Sequence, residues 1–289
     1  MGYNEEFEKA IFEPDHINLV LAEIESSFPK YFSHFLKRSP VDIFDREIMA
    51  HEKALPLYRR YLDLEYLRNY TGDTQTFKNF TKDYCPVIWA CLRSPDDKMN
   101  KYKASFYAMK GDRLLNTVKN IAEFGENYVR AFDGDEHESS SSYQDLNLND
   151  LNSGEYGCGG VIGYGVQSAL LYGRYQQAFA HRSQNAVWSL YFLTKGRKFG
   201  LYDCSEFMRV QPDQSTCAQN YFYPAELFGF YALHLYLLLK QACAGSGIPL
   251  APQYRYVYLS AFTDYIAQIH NEDIGIFEHN SDVREFDWH

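Results

Sequence analysis

Over most of this chain the apolar residues recur at helical rather than strand spacing. Ile17, Val20, Leu21 and Ile24 fall at i, i+3, i+4 and i+7, one stripe of a helix within residues 7–35. Pro14-Asp15 marks its start, and Pro29 marks a stop or a kink. A second helical pattern runs over about residues 42–70. Pro56 sits inside it, so either it bends or two helices abut there. Residues 222–240 are apolar on most faces, from Leu227 and Phe228 to Leu237 and Leu238, and Pro224 stands near the start. All-round hydrophobicity predicts a central, buried helix.

Three aromatic-rich stretches, around residues 61–73, 102–115 and 188–197, each run into a glycine: Gly72, Gly111 and Gly196. Glycine just past a helix takes the left-handed conformation that closes the last turn, and a new helix begins beyond it. This grammar predicts an all-α fold, an irregular bundle or short solenoid of helical hairpins. The unequal spacing of the three glycines argues against a regular repeat array. Strand signal is sparse. Residues 254–259 alternate weakly, but they lead into a helical pattern at 260–270.

One break in pattern stands out. Residues 133–155 hold seven acids, no Lys or Arg, and four successive serines at 139–142. That composition predicts an exposed, mobile loop over residues 133–156, between helical halves at 1–132 and 157–289, which together can still form one continuous domain.

Charge narrows the function classes. With 38 acids against 28 bases the formal charge is −10, and no Lys/Arg run exceeds two. A nucleic-acid partner is not expected, because binding phosphates needs a basic face that displaces counterions. The N-terminal residues are acidic and lack an apolar core, and Glu6 stands where myristoylation wants Ser or Thr. The longest apolar stretch, residues 225–239, is interrupted by Glu226 and His234, so no membrane span is expected. The six cysteines form no CxxC pair and read as reduced thiols. A cytoplasmic location follows as the expectation.

Candidate chemistry is thin. Gly157, Gly159, Gly160, Gly163 and Gly165 precede a helix and can in principle cradle phosphate, but no GxGxxG spacing or GK[ST] accompanies them. A hinge, or close helix packing at small residues, is the plainer reading. Cys158 in that loop needs a base such as His181 to serve as a nucleophile. Arg174, His181 and Arg182 suit either an anionic pocket or the anchoring of neighbouring loops. His51-Glu52 begins like a zincin, but Leu55 occupies the second ligand position. His270, Glu272, Asp273, Glu278, His279 and Asp282 form the densest set of potential ligands, without EF-hand spacing. No cofactor and no metal is expected.

The acidic surface carries the most weight. Between residues 264 and 289 lie seven acids and one base, Arg284, with Tyr265, Phe277, Phe286 and Trp288 interleaved. Carboxylates around aromatic anchors suit recognition of a basic protein: rings supply desolvated contact and charges steer approach. The expected partner-binding residues are Asp203, Glu206, Asp264, Glu272, Asp273, Glu278, Asp282, Glu285, Phe286 and Trp288.

The combination resembles bacterial immunity proteins of polymorphic-toxin and contact-dependent secretion systems, several families of which are cytosolic, acidic and all-helical. Their helix pairs break at turns similar to Tyr107-Ala-Met-Lys-Gly111-Asp112 and Phe192-Leu-Thr-Lys-Gly196, and Asn220-Tyr-Phe-Tyr-Pro224 leads into a helix in the same style. The likeness is one of general character over residues 45–240 and transfers no functional residue. It implies an inhibitor that neutralises a cognate toxin, a secreted domain with a basic surface. An all-α enzyme with a site near residues 157–182 and a helical scaffold remain the alternatives, and the oligomeric state stays open.

Overall fold

The computed structural model describes residues 9–199, 205–211, 216–220 and 222–279. Among these residues the protein is all-α, with thirteen α-helices and one two-stranded antiparallel ribbon.

Helix α1 (Pro14–Leu36) runs unbroken through Pro29, and α2 (Pro40–Tyr61) runs through Pro56. An interior proline costs a helix about 3 kcal/mol. In α1 the buried stripe Val20, Ile24, Phe28, Tyr31, Phe32 and Phe35 continues on both sides of Pro29. Each such side chain contributes roughly 1.5–3 kcal/mol on burial, so packing outweighs the lost hydrogen bond. The helical pattern predicted to residue 70 instead breaks at Leu62. There the Asp63 carboxylate accepts from the Tyr66 amide at 2.7 Å and starts α3 (Leu64–Arg68).

Next come α4 (Thr74–Tyr84), α5 (Pro86–Arg93), α6 (Asn100–Ala108) and α7 (Gly111–Arg130). Gly72 (φ 100°) and Gly196 (φ 63°) take the left-handed conformation expected after a helix. Gly111 does not. It opens α7, where the Thr74 carbonyl leaves no room for a Cβ.

Residues 133–156 correct the expectation of an exposed loop. They form α8 (Gly134–Glu138) and three short 3-10 turns, and Leu146, Leu148 and Leu151 are buried. The turns pack on α11 (Ala225–Gly245). Arg255, itself buried, reaches back to donate to Glu138 at 2.8 Å and to the Gly134 carbonyl at 3.3 Å, and His137 meets Tyr256 Oη at 2.7 Å. Three leucines and a buried guanidinium anchor a segment whose composition is otherwise that of a solvated linker.

The remaining helices are α9 (Tyr164–Arg174), α10 (Gln184–Leu193), α12 (Arg255–Ile269) and α13 (Asn271–His279). Helix α12 packs against α10, α2, α11 and α1, while α1 also lies on α11 and α7 on α9. These contacts join both sequence halves in one core running from Ile11 to Phe277. A solenoid unit touches only its neighbours; this is a bundle. Helix α11 has the length and hydropathy of a membrane span, but most of its faces, including Leu227, Tyr231, Tyr236 and Leu239, are buried in that core.

The ribbon pairs β1 (Met208–Gln211) with β2 (Thr216–Gln219), Met208 opposite Gln219 and Gln211 opposite Thr216. The helical reading passed over it, although Pro212-Asp213 in the sequence is a turn signal.

Candidate functional site

A groove of about 1160 Å³ opens between α2, the start of α10, α12 and α13. Its walls are built from polar ends on a rigid frame. Ser183 caps α10 by accepting from the Ala186 amide at 3.0 Å, which sets Asn185 on the first turn. The Asn185 amide then donates to Asp264 on α12 at 2.8 Å. Farther along, the Ser189 hydroxyl lies 2.6 Å from the Thr263 carbonyl and ties α10 to α12.

Helix α13 is held by rings. Phe277 stacks on Trp188 at 5.7 Å and 14°, and His270 stacks on Phe192 at 3.8 Å and 7°. His270 also bridges two elements, with Nδ1 2.7 Å from Asp273 and Nε2 3.0 Å from Tyr31 Oη on α1. Burial first, and the Asp273 charge second, push the Tyr31 phenol up to about 12, so it stays neutral.

Among the described residues, five carboxylates line this groove, Glu47, Asp264, Glu272, Asp273 and Glu278, and Arg46 is the sole Lys or Arg in the same wall. Glu278 pairs with Lys98 and Asp273 with His270, while Glu47, Asp264 and Glu272 have no ion pair among the described residues. Burial, reinforced by the Glu47 charge and opposed by the Asn185 hydrogen bond, raises the Asp264 carboxyl above its ordinary range. The groove is therefore an electronegative recess, with Trp188 and Tyr265 beside the acids.

Of the residues expected to bind a partner, Asp264, Glu272, Asp273 and Glu278 come together here. Glu206 does not, and its surface assignment is corrected. It is buried at 3% exposure, with Oε2 2.5 Å from His16 Nε2 and Oε1 accepting from Tyr223 at 3.0 Å. A carboxylate taken out of water needs such partners, and that role removes it from the surface. Asp203, Asp282, Glu285, Phe286 and Trp288 lie outside the described residues. The interleaved ring Phe277 is also corrected: it is buried against Trp188 and braces the wall instead of offering contact. Glu47 and Asn185 were missed. Glu47 sits in an unremarkable helical pattern 217 positions before Asp264 in the chain, and nothing local marks it.

The other candidates resolve into structural roles. Within residues 157–165 the amides of Cys158 and Ile162 are spent on each other's carbonyls, both at 2.9 Å, and that of Val161 on the Cys158 carbonyl. The turn closes on itself as a packed element. Burial raises the Cys158 thiol, whose neighbours include Thr117 and Arg113. His181 lies instead on the Tyr172 ring at 5.2 Å, beside His51, in separate surroundings. Arg174 donates to the Leu62 carbonyl and Arg182 to the Asn220 carbonyl at 2.7 Å, so both anchor loops. Among the described residues no three His, Cys, Asp or Glu side chains are grouped to hold a metal.

No protein family, curated protein or solved structure matches this chain.

Proposed function

We propose that this is a cytosolic binding protein that seats a basic segment of a protein partner in the acidic groove. Its finer role in this reading is that of an immunity-type inhibitor, covering the basic active-site surface of a cognate toxin. The observation that carries the reading is the convergence of five carboxylates from three separate helices on one recess, three of them without an ion pair among the described residues. Such a field steers a positive partner and fixes its register. Cationic side chains entering the recess would relieve the mutual repulsion of Glu47 and Asp264.

The deciding measurement starts with co-purification from the native host, followed by titration of the recovered partner. Neutralising the groove with Glu47→Gln, Asp264→Asn and Glu272→Gln together is expected to weaken that partner at least tenfold, a loss of about 1.4 kcal/mol or more. A partner whose affinity ignores all three changes would remove the groove from the account. A partner with an acidic contact face would remove the reading itself.

A further inference from the structure

The chain is acidic overall, yet residues 53–119 hold thirteen Lys and Arg against seven Asp and Glu. Within that basic stretch, the corner joining α4 to α5 exposes two large rings, Tyr84 at 45% and Trp89 at 44%. Each carries a guanidinium. Arg60 lies 5.3 Å from the Tyr84 ring centre, and also covers Tyr66 at 5.2 Å and Phe80 at 5.5 Å. Arg93 lies 4.7 Å from the Trp89 ring centre.

Those stacks order the two arginines and leave most of their N–H donors without a partner among the described residues. Arg60 donates to Tyr66 Oη at 3.0 Å, and Arg93 makes no side-chain hydrogen bond with a described residue. Neither pairs with a carboxylate among the described residues, in a protein that has 38 of them. A guanidinium stacked on a ring has already lost much of its rotamer freedom, and its planar fork matches a carboxylate in two parallel bonds. Tyr, Trp and Arg are also the residues that dominate binding energy at protein interfaces.

We propose that the α4–α5 corner is a second interaction surface, which takes the carboxylates of an acidic protein segment on the guanidiniums of Arg60 and Arg93. A protein segment fits better than a nucleic acid. Asp63 and Glu65 line the recess beside Arg60. A phosphodiester chain presents a charge at every unit and meets both acids, whereas a peptide can set neutral residues opposite them. The surface is independent of the groove and stands whether or not the groove binds a basic partner.

The test uses the full-length protein and a fluorescein-labelled peptide of alternating Glu and Ser, read by anisotropy at low salt. Saturable, salt-sensitive binding is expected. Arg60→Ala with Arg93→Ala should weaken it about tenfold. Arg60→Lys with Arg93→Lys, which keeps charge and loses the fork, should fall between that variant and the wild type. Asp264→Asn should leave it unchanged, which separates this surface from the groove. The proposal is overturned by an absence of saturable binding, by equal affinity in the alanine and native proteins, or by tighter binding of single-stranded oligothymidylate than of the peptide.

Discussion

Glu206 Oε2 stands 2.5 Å from His16 Nε2, although the two lie 190 positions apart in the chain, and both side chains are buried. The contact ties the segment ahead of β1 to the first turn of α1. Tyr223 completes the cluster by donating to the other carboxylate oxygen at 3.0 Å.

Removing one member of that cluster leaves the others polar and enclosed. Glu206→Ala is expected to cost about 1–3 kcal/mol for each of the two groups, the buried imidazole and the phenol, that it strips of an acceptor. Glu206→Gln keeps an acceptor and should cost less. Urea denaturation followed by circular dichroism reads both, and an alanine variant as stable as the native protein would contradict the buried assignment.

Acid should destabilise the protein before its carboxylates titrate. Burial, then the neighbouring Arg255 charge, lowers His137 to about 4; burial, then His51, lowers His181 to about 4; burial lowers His51 as well. These groups are neutral in the folded chain and take protons more readily once unfolded. For His137 and His181 this contribution is full above the unfolded value near 6.5 and is lost as pH falls from there towards 4, at about 1.4 kcal/mol per pH unit each, and His51 acts in the same direction. Thermal melts between pH 7 and pH 4.5 should fall steadily, and His137→Phe should flatten part of the slope.

The packing of residues 133–156 gives a sharp outcome. Leu148→Ala is expected to cost about 2–5 kcal/mol, the range for a buried leucine. Arg255→Leu should release the segment locally, since the Glu138 and Gly134 contacts go with it. Hydrogen exchange over this segment in the native protein should show protected amides that become fast in the Arg255 variant. Exchange at the unprotected rate in the native protein would return the segment to an exposed loop.

The groove should show its own pH signature. Because the Asp264 carboxyl is raised, it takes a proton at a higher pH than an ordinary carboxylate as the solution is acidified. Pentalysine affinity is therefore expected to begin falling above the usual carboxylate range. In Asp264→Asn it should be weaker by about tenfold and flatter with pH. Titration calorimetry at a series of pH values checks both.

Gly160 tests the turn. Its φ is 77°, and an added Cβ would lie 2.5 Å from Ser105 Oγ. Gly160→Ala combines backbone strain with overpacking and should cost about 1–3 kcal/mol. Pairing it with Ser105→Gly removes the clash and leaves the strain, so the double variant should recover part of the loss in a melt.

Local pattern carried the helices. The stripe at Ile17, Val20 and Ile24, the apolar run of α11 and the left-handed Gly72 and Gly196 all depend on neighbours within a turn or two, so they were legible in order along the chain. Tertiary structure alone decided the rest. Whether Pro29 and Pro56 interrupt a helix depended on what their helices pack against. Whether the serine-rich segment is loose depended on Arg255, more than a hundred positions away. The acids at 264–278 could be seen as acidic, but their meeting with Glu47 in one recess, and the withdrawal of Glu206 to partner His16, come from contacts between distant residues. A carboxylate's role is set by what surrounds it in space, and sequence supplies only what precedes and follows it.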